Sequence, residues 1–562
     1  MRPFGRPFVY MILYLLLLAA VLLHAPDALY RPEARSFIFI IGVVGIWRYG
    51  WGLVHFVRAL IYKHRTFPRW RRYLDRLLAA LDDPEGAPDT GAHAAFAAEA
   101  ESLDRPAAFM QMRHADPGSD RPHPASHGHA AGAALAADLL PDAYIVVTAY
   151  RVGTETISAV FRAAFAEAQD YGRPVCIVAS VVEMADQRHV KRLFQTADLD
   201  PRVRLLLVRA PPTGKRDGLA LALRTVARQA PARDSAVILM DADTILPPGS
   251  LRTTLPFLRL LPHVAGLTTD EDSVVAGSRL MHHWHRLRFA QRQVLMCSMA
   301  LSSRLLTLTG RMSVFRSQVA IDPGFIDAVR DDVIDHWRLG RIKLLTGEDK
   351  STWFWLLKHG MKMIYVPDVR VVTIEHPPSP WFLSASTQLM TRWFGNMLRA
   401  SGRAIALGPR RIGPFTWWCL IDQRVSMWTP LLGPLAAGFY AVLVSPIFLY
   451  AYLAWVLLTR LVQTLMLLPF RASVSGAYPL LLYYNQVYGA CVKTYMLFRL
   501  DRQRWTRQQI EIGRIDPHPW RRQLRAAGSL YVHLLALTTL VAAVGYLTGL
   551  LTWPAEFDLA GL

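Results

Sequence analysis

The sequence predicts an α/β domain with a mostly parallel sheet, inserted between transmembrane helices. Between residues 143 and 376, short β-branched runs alternate with amphipathic helical stretches. Apolar blocks near the ~20 residues needed to cross a hydrocarbon layer stand on both sides of that region. Arginine clusters edge those blocks, as they do on the cytoplasmic side of membrane helices.

Apolar residues make up 52% of the 562, yet the chain keeps 63 Lys and Arg against 43 Asp and Glu, a net charge of +20. The apolar surplus must therefore be confined to blocks, the composition of a multi-pass protein with basic flanks. The arginines sit beside apolar blocks and line no recognisable nucleic-acid fold, so nucleic acid is excluded as a partner in favour of membrane lipid or an anionic sugar. Cys176, Cys297, Cys419 and Cys491 are far apart and in no C-x-x-C spacing, which excludes a disulfide framework and leaves them as buried small apolar residues.

Two N-terminal transmembrane helices are expected within residues 1–60, at 8–24 and 37–57. Arg2 and Arg6 ahead of the first imitate a signal peptide, but no convincing cleavage site follows, so it reads as an uncleaved anchor. Residues 61–83 carry the basic cluster Lys63, Arg65, Arg69, Arg71, Arg72 and Arg76, which places them and the domain behind them in the cytoplasm. Residues 84–138 are rich in Ala, Gly, His, Pro and Asp, and read as a disordered linker. The α/β domain is expected at 142–378, with strands at 144–148, 175–182, 203–208, 236–240 and 264–269. Amphipathic interface helices follow at 379–425, where Arg392, Arg399 and Arg403 mix with Trp and Phe. A C-terminal transmembrane region, 426–553, contains apolar blocks at 428–470, 479–498 and 530–553 and a basic cytoplasmic segment at 499–526. Parity of the basic segments gives five spans, with a break expected at Ser445-Pro446 and one re-entrant or interfacial piece left unassigned.

Asp241-Ala242-Asp243 follows directly on the apolar run 236–240, so both carboxylates emerge at the carboxyl edge of the sheet, where ligands of open α/β sheets bind. Paired carboxylates suit a hard divalent cation, Mg2+ or Mn2+, that also holds a diphosphate. About a hundred residues on, Gly347-Glu348-Asp349 opens a helix, with Asp349 placed as a base for an incoming hydroxyl; an N-cap is the simpler alternative. Lys215 opens another helix, where a cation and backbone amides can hold a nucleotide. Arg392 can grip a phosphate and Trp393 can stack on a sugar.

The order D-x-D, Glu-Asp, Arg-Trp between membrane spans resembles the processive family 2 glycosyltransferases that make cellulose, hyaluronan, chitin and alginate. The runs from Gly347 to Phe354 and from Arg392 to Asn396 are most similar to the alginate polymerases, the mannuronan synthases. The resemblance implies a GT-A type glycosyltransferase domain and an inverting transfer of mannuronate from GDP-mannuronate into a β-1,4-linked polymer, the alginate precursor, that passes across the bacterial inner membrane. It implies Asp349 as catalytic base, Asp241 and Asp243 as cation ligands, and Arg392 and Trp393 as holders of diphosphate and acceptor. Gln388 lies one residue too far from Arg392 for the family's Q-x-x-R-W spacing, and the base-contacting aspartate is best matched by Asp186, with Glu183 behind it. A separate cyclic-di-GMP-binding regulatory subunit and an export complex are implied partners beside the growing polysaccharide. A related synthase using a UDP-sugar, or a non-catalytic nucleotide-binding transporter or scaffold, are the alternatives. An anionic product would also give Arg48 and Arg460 a reason to lie in apolar surroundings.

Overall fold

The run Ala-Val-Ile-Leu-Met at 236–240 is buried along its whole length and lies in the middle of the sheet, which is why nothing polar interrupts it before Asp241. A computed structural model describes residues 5–29, 34–79, 141–503 and 518–551 of the chain. The strands are β1 (Ala143–Ala149), β2 (Val175–Val181), β3 (Val203–Arg209), β4 (Ala236–Asp241), β5 (Thr244–Ile245), β6 (Val264–Val275), β7 (Ser313–Arg316), β8 (Val333–His336), β9 (Gly340–Lys343) and β10 (Lys362–Glu375). Eight of them form one sheet in the order β3-β2-β1-β4-β7-β6-β10-β5, and β8 and β9 pair as a separate hairpin. β1 pairs in parallel with β2 and β4, and β2 with β3, so their carboxyl ends share one edge. β7 enters antiparallel between β4 and β6. Helices Thr154–Tyr171 and Lys215–Arg228 bury apolar faces in the same core as the central strands.

Helix Ala34–Ile61 runs through a short π-turn, Tyr62–Thr66, into Phe67–Ala79, so the basic cluster is helical and docked on the domain. Arg71 holds Asp368 at 2.7 Å and donates to the Thr253 carbonyl, while the Tyr62 hydroxyl donates to the Tyr365 carbonyl. Among the described residues four helices are long and apolar enough to cross a membrane, within Phe37–Arg76, Pro414–Leu443, Ile447–Leu465 and Pro519–Leu547, and Met11–Leu23 is a shorter apolar stretch. Large side chains such as Leu16, Leu23 and Ile46 face outwards from them with no protein cover, as a lipid-facing surface requires.

The block at 428–470 divides at Ser445-Pro446 into Thr429–Leu443 and Ile447–Leu465, because Pro446 has no N–H to continue the first helix. Helix Tyr478–Leu497 departs from the span expected at 479–498: it is not among the helices apolar enough to cross. It carries Asn485, Gln486 and Lys493, and the Asn485 amide oxygen accepts from the Trp284 indole of the domain at 2.6 Å. Cys491 is exposed on this helix, whereas Cys176, Cys297 and Cys419 are buried. The linker expected at 84–138 and residues 504–517 of the expected basic segment lie outside the described residues.

Candidate active site

Asp241 closes β4 in register with Thr148 of β1, and Ala242-Asp243 form the turn into β5. That turn is pinned from the far side of the sheet, because the Ile374 amide of β10 donates to the Asp243 carbonyl at 2.8 Å. Gly310 lies against it, and a Cβ there would come within 2.9 Å of an Asp241 carboxylate oxygen. A larger residue there would push the Asp241 carboxylate aside.

Glu348 and Asp349 open helix Glu348–Lys358 behind Gly347, whose φ of +83° is a conformation that side chains rarely adopt. The loop is held from three directions. The Thr346 hydroxyl donates to the Asn396 amide oxygen at 3.0 Å, from helix Phe382–Ala406. The buried Arg216 donates to the carbonyls of Val329 and Thr346 and to the Ser351 hydroxyl. Ser351 in turn donates to Asp332, which Arg403 grips with two nitrogens at 2.5 and 2.8 Å.

These elements enclose a cleft of about 210 Å³, lined among others by Lys215, Asp241, Asp243, Asp349, Arg392 and Trp393. The sequence-predicted residues therefore meet, with Asp186 as the exception: it sits in the first turn of helix Met184–Gln195 and does not line the cleft. Gln388 does not line it either, and its amide nitrogen donates to Ser384 on its own helix. Lys215 opens its helix as expected, but its ammonium bridges Asp241 and Glu348. Arg311, Glu375 and Asn396 also line the cleft and were given no role from the sequence, and Glu348, read there only as part of the Glu-Asp motif, lines it too. Arg311 joins Glu271 at 3.0 Å to Glu375 at 2.8 Å. Only the motif position of Glu348, beside Asp349, signalled it beforehand.

The carboxyls differ in charge behaviour. Burial would raise Glu348, but Lys215 and Arg216 overcome it and hold its pKa near 2. At Asp349 burial wins, reinforced by the neighbouring Glu348 charge, and its pKa is raised despite Lys350 and Lys215. Asp241 is likewise raised, chiefly by burial, with Lys215 opposing. A raised carboxyl facing a cleft suits a base that must take a proton near neutral pH.

Among the described residues no three His, Cys, Asp or Glu side chains gather closely enough to hold an ion alone. Asp241 and Asp243 nonetheless fit one, as hard oxygen donors at a sheet edge whose remaining ligands would be diphosphate oxygens and water.

Behind the cleft lies a larger cavity of about 590 Å³, sharing Gly310, Arg311, Asp349, Trp393 and Asn396 with it. A third, about 60 Å³, shares Arg48, Tyr49, Pro430 and Gln486 with the second and reaches Tyr452 and Arg460 among the membrane helices. Arg48 donates to both carboxylate oxygens of Asp422, at 2.9 and 3.1 Å, so its charge is already matched by the helix Pro414–Val425. Arg460 donates to the Tyr49 hydroxyl and the Gln463 amide oxygen. Trp393 stacks on Trp284 with ring centroids 5.6 Å apart.

A mixed, mostly parallel sheet with an acidic cleft at its carboxyl edge and apolar helices on both flanks defines a GT-A glycosyltransferase joined to membrane helices. The family described as Glycosyltransferase like family 2 matches residues 141–396. Glycosyltransferase alg8 of Pseudomonas syringae pv. tomato is 42% identical over 501 residues, 89% of this chain and 90% of that protein. Glycosyltransferase alg8 of Azotobacter vinelandii is 40% identical over 504 residues, 90% of each. A solved mannosyltransferase from Pyrobaculum calidifontis, in complex with GDP-Man and Mn2+, aligns with a TM-score of 0.41 and 20% identity, covering 75% of this chain and 98% of that one. The chain belongs to the processive family 2 glycosyltransferases, in the alginate-polymerase-like group of these alg8 relatives.

Proposed function

We propose that the chain polymerises mannuronate from GDP-mannuronate into a β-1,4-linked chain and feeds it across the bacterial inner membrane, with the catalytic domain on the cytoplasmic side. One observation carries this reading: Asp241, Asp243 and Asp349 line a single cleft, and Asp349 and Trp393 also line the cavity leading towards the membrane helices.

In this mechanism Asp349 accepts the proton of the acceptor hydroxyl as its oxygen attacks the anomeric carbon of the donor. The bond to the diphosphate breaks on the opposite face, which inverts the configuration. Asp241 and Asp243 would hold a divalent cation, Mg2+ or Mn2+, which when bound neutralises diphosphate charge. Arg392 supports the diphosphate from helix Phe382–Ala406, and Trp393 offers a face for the acceptor sugar. Lys215 exchanges its partners for phosphate oxygens as the nucleotide enters. The product advances through the two cavities between helices Ala34–Ile61, Thr429–Leu443 and Ile447–Leu465. Regulation by a separate cyclic-di-GMP-binding subunit belongs to the same proposal.

Membranes containing the chain and its regulatory partner, supplied with GDP-mannuronate and Mg2+, should release GDP and accumulate a polyuronate. Release of nucleoside diphosphate from UDP-sugars, with none from GDP-mannuronate, would overturn the donor assignment.

A further inference from the structure

Among the described residues six Arg and Lys side chains line the larger cavity: Arg48, Arg288, Arg292, Arg311, Lys350 and Lys493. Arg48, Arg292 and Arg311 are compensated inside the protein, by Asp422, Glu271 and Glu375. Lys350 donates to the Leu306 carbonyl and adjoins Asp349 in sequence. Arg288 and Lys493 differ, because among the described residues neither forms an ion pair and each lies against aromatic rings. The Arg288 guanidinium is 4.4 Å from the Trp393 ring centroid and 5.1 Å from that of Trp284, and the Lys493 ammonium is 4.8 Å from that of Phe394. Burial and then neighbouring cations pull Lys493 down to about 8 and Arg288 to about 10.

Two half-buried cations facing one cavity without an anion carry a desolvation and repulsion cost that packing alone does not return. A neutral glycan passing through would leave that cost in place. A carboxylate on each sugar would relieve it, and a guanidinium lying over Trp393 can meet a carboxylate while the sugar ring stacks on the indole.

We propose that Arg288 and Lys493 form a carboxylate-binding subsite for the newly extended end of the polymer, on the product side of Trp393. The subsite makes the enzyme selective for a uronate acceptor, independently of how it selects its donor. It rests on the proposed anionic product and gives that product a recognition site of its own.

The test uses the purified full-length protein in detergent without donor, titrated with oligomannuronate and with a neutral oligomannoside of equal length, read by tryptophan fluorescence. The wild type should bind the anionic oligomer about tenfold or more tightly than the neutral one. Arg288→Gln with Lys493→Gln should bring the two within about twofold, and Arg288→Lys with Lys493→Arg should keep the preference. GDP binding, measured alongside, reports folding of each variant. Equal affinities in the wild type, or a preference that survives the glutamine pair, would overturn the subsite. Donor use is scored separately: a wild type that prefers oligomannuronate but turns over only a UDP-sugar leaves the subsite standing and removes the GDP-mannuronate reading.

Discussion

The donor cleft and the cavity behind it share Asp349 and Trp393, yet they hold their charge in opposite ways. In the cleft two cations are each held between two carboxylates: Lys215 lies between Asp241 and Glu348, and Arg311 between Glu271 and Glu375. In the cavity Arg288 and Lys493 rest on aromatic rings without ion pairs among the described residues. The cations Lys215 and Arg311 of the cleft are paired inside the protein and can exchange partners with a charged nucleotide. The cavity keeps positive charge for something that arrives from outside the protein. Asp349 stands at the junction, where the proposed mechanism has a proton leave an acceptor that enters from the second region.

The sharpest way to break this contrast is at the junction. Asp349→Asn should lower turnover by about 10²–10⁴-fold while leaving donor affinity unchanged; a variant that still makes polymer removes Asp349 as the base.

Next in size is the cleft's internal pairing. Lys215→Met leaves Asp241 and Glu348 facing each other largely out of water and should cost about 3 kcal/mol of stability, the lower end for breaking a buried pair. Chemical denaturation measures it, and Lys215→Arg should recover most of the loss.

A smaller effect separates the two regions by pH. As the proposed base, Asp349 must be deprotonated to act, so a raised pKa places the acid limb of kcat/KM above that of an ordinary aspartate, and activity falls as pH drops through it. Lys350, on the cavity side, lowers the Asp349 pKa by its charge. Lys350→Met should therefore move the acid limb to still higher pH, and an unmoved limb would show that the cavity's charge does not reach the base.

The smallest expected effect lies at the far end of the cavity. Arg48→Gln and Asp422→Asn together should weaken the protein by less than the sum of their separate losses, with a coupling of about 0.5–3 kcal/mol in a double-mutant cycle. Additive losses would mean that Arg48 serves the product and not Asp422.

Much of the catalytic domain was legible because its signals are local. The apolar run 236–240 announces a buried strand, and two aspartates directly after it can only emerge at that strand's end. Gly347 before Glu348-Asp349 marks a helix entry, and Ser445-Pro446 marks a helix break. Asp186 was expected in the cleft only through the family resemblance, yet the chain turns into helix Met184–Gln195 and Asp186 goes with it, away from the cleft lining. Arg48 read as a cation in apolar surroundings that an anionic product would relieve, because Asp422 lies 374 residues away. The block at 479–498 read as a span from its apolar content, although Asn485 and Lys493 on that helix serve the domain and the cavity.

The amino-acid sequence by itself determined where chain segments enter apolar surroundings and which residue types stand at strand ends and helix starts. Those depend on hydropathy and backbone preference over a few neighbouring residues. Only the tertiary structure decided which charges are cancelled and which are kept. Lys215 meets Glu348 across 133 residues and Arg216 meets Ser351 across 135, whereas Arg288 and Lys493 meet aromatic rings. Compensation of a buried charge depends on distance and desolvation in three dimensions, and neither quantity is written in the spacing of residues along a chain.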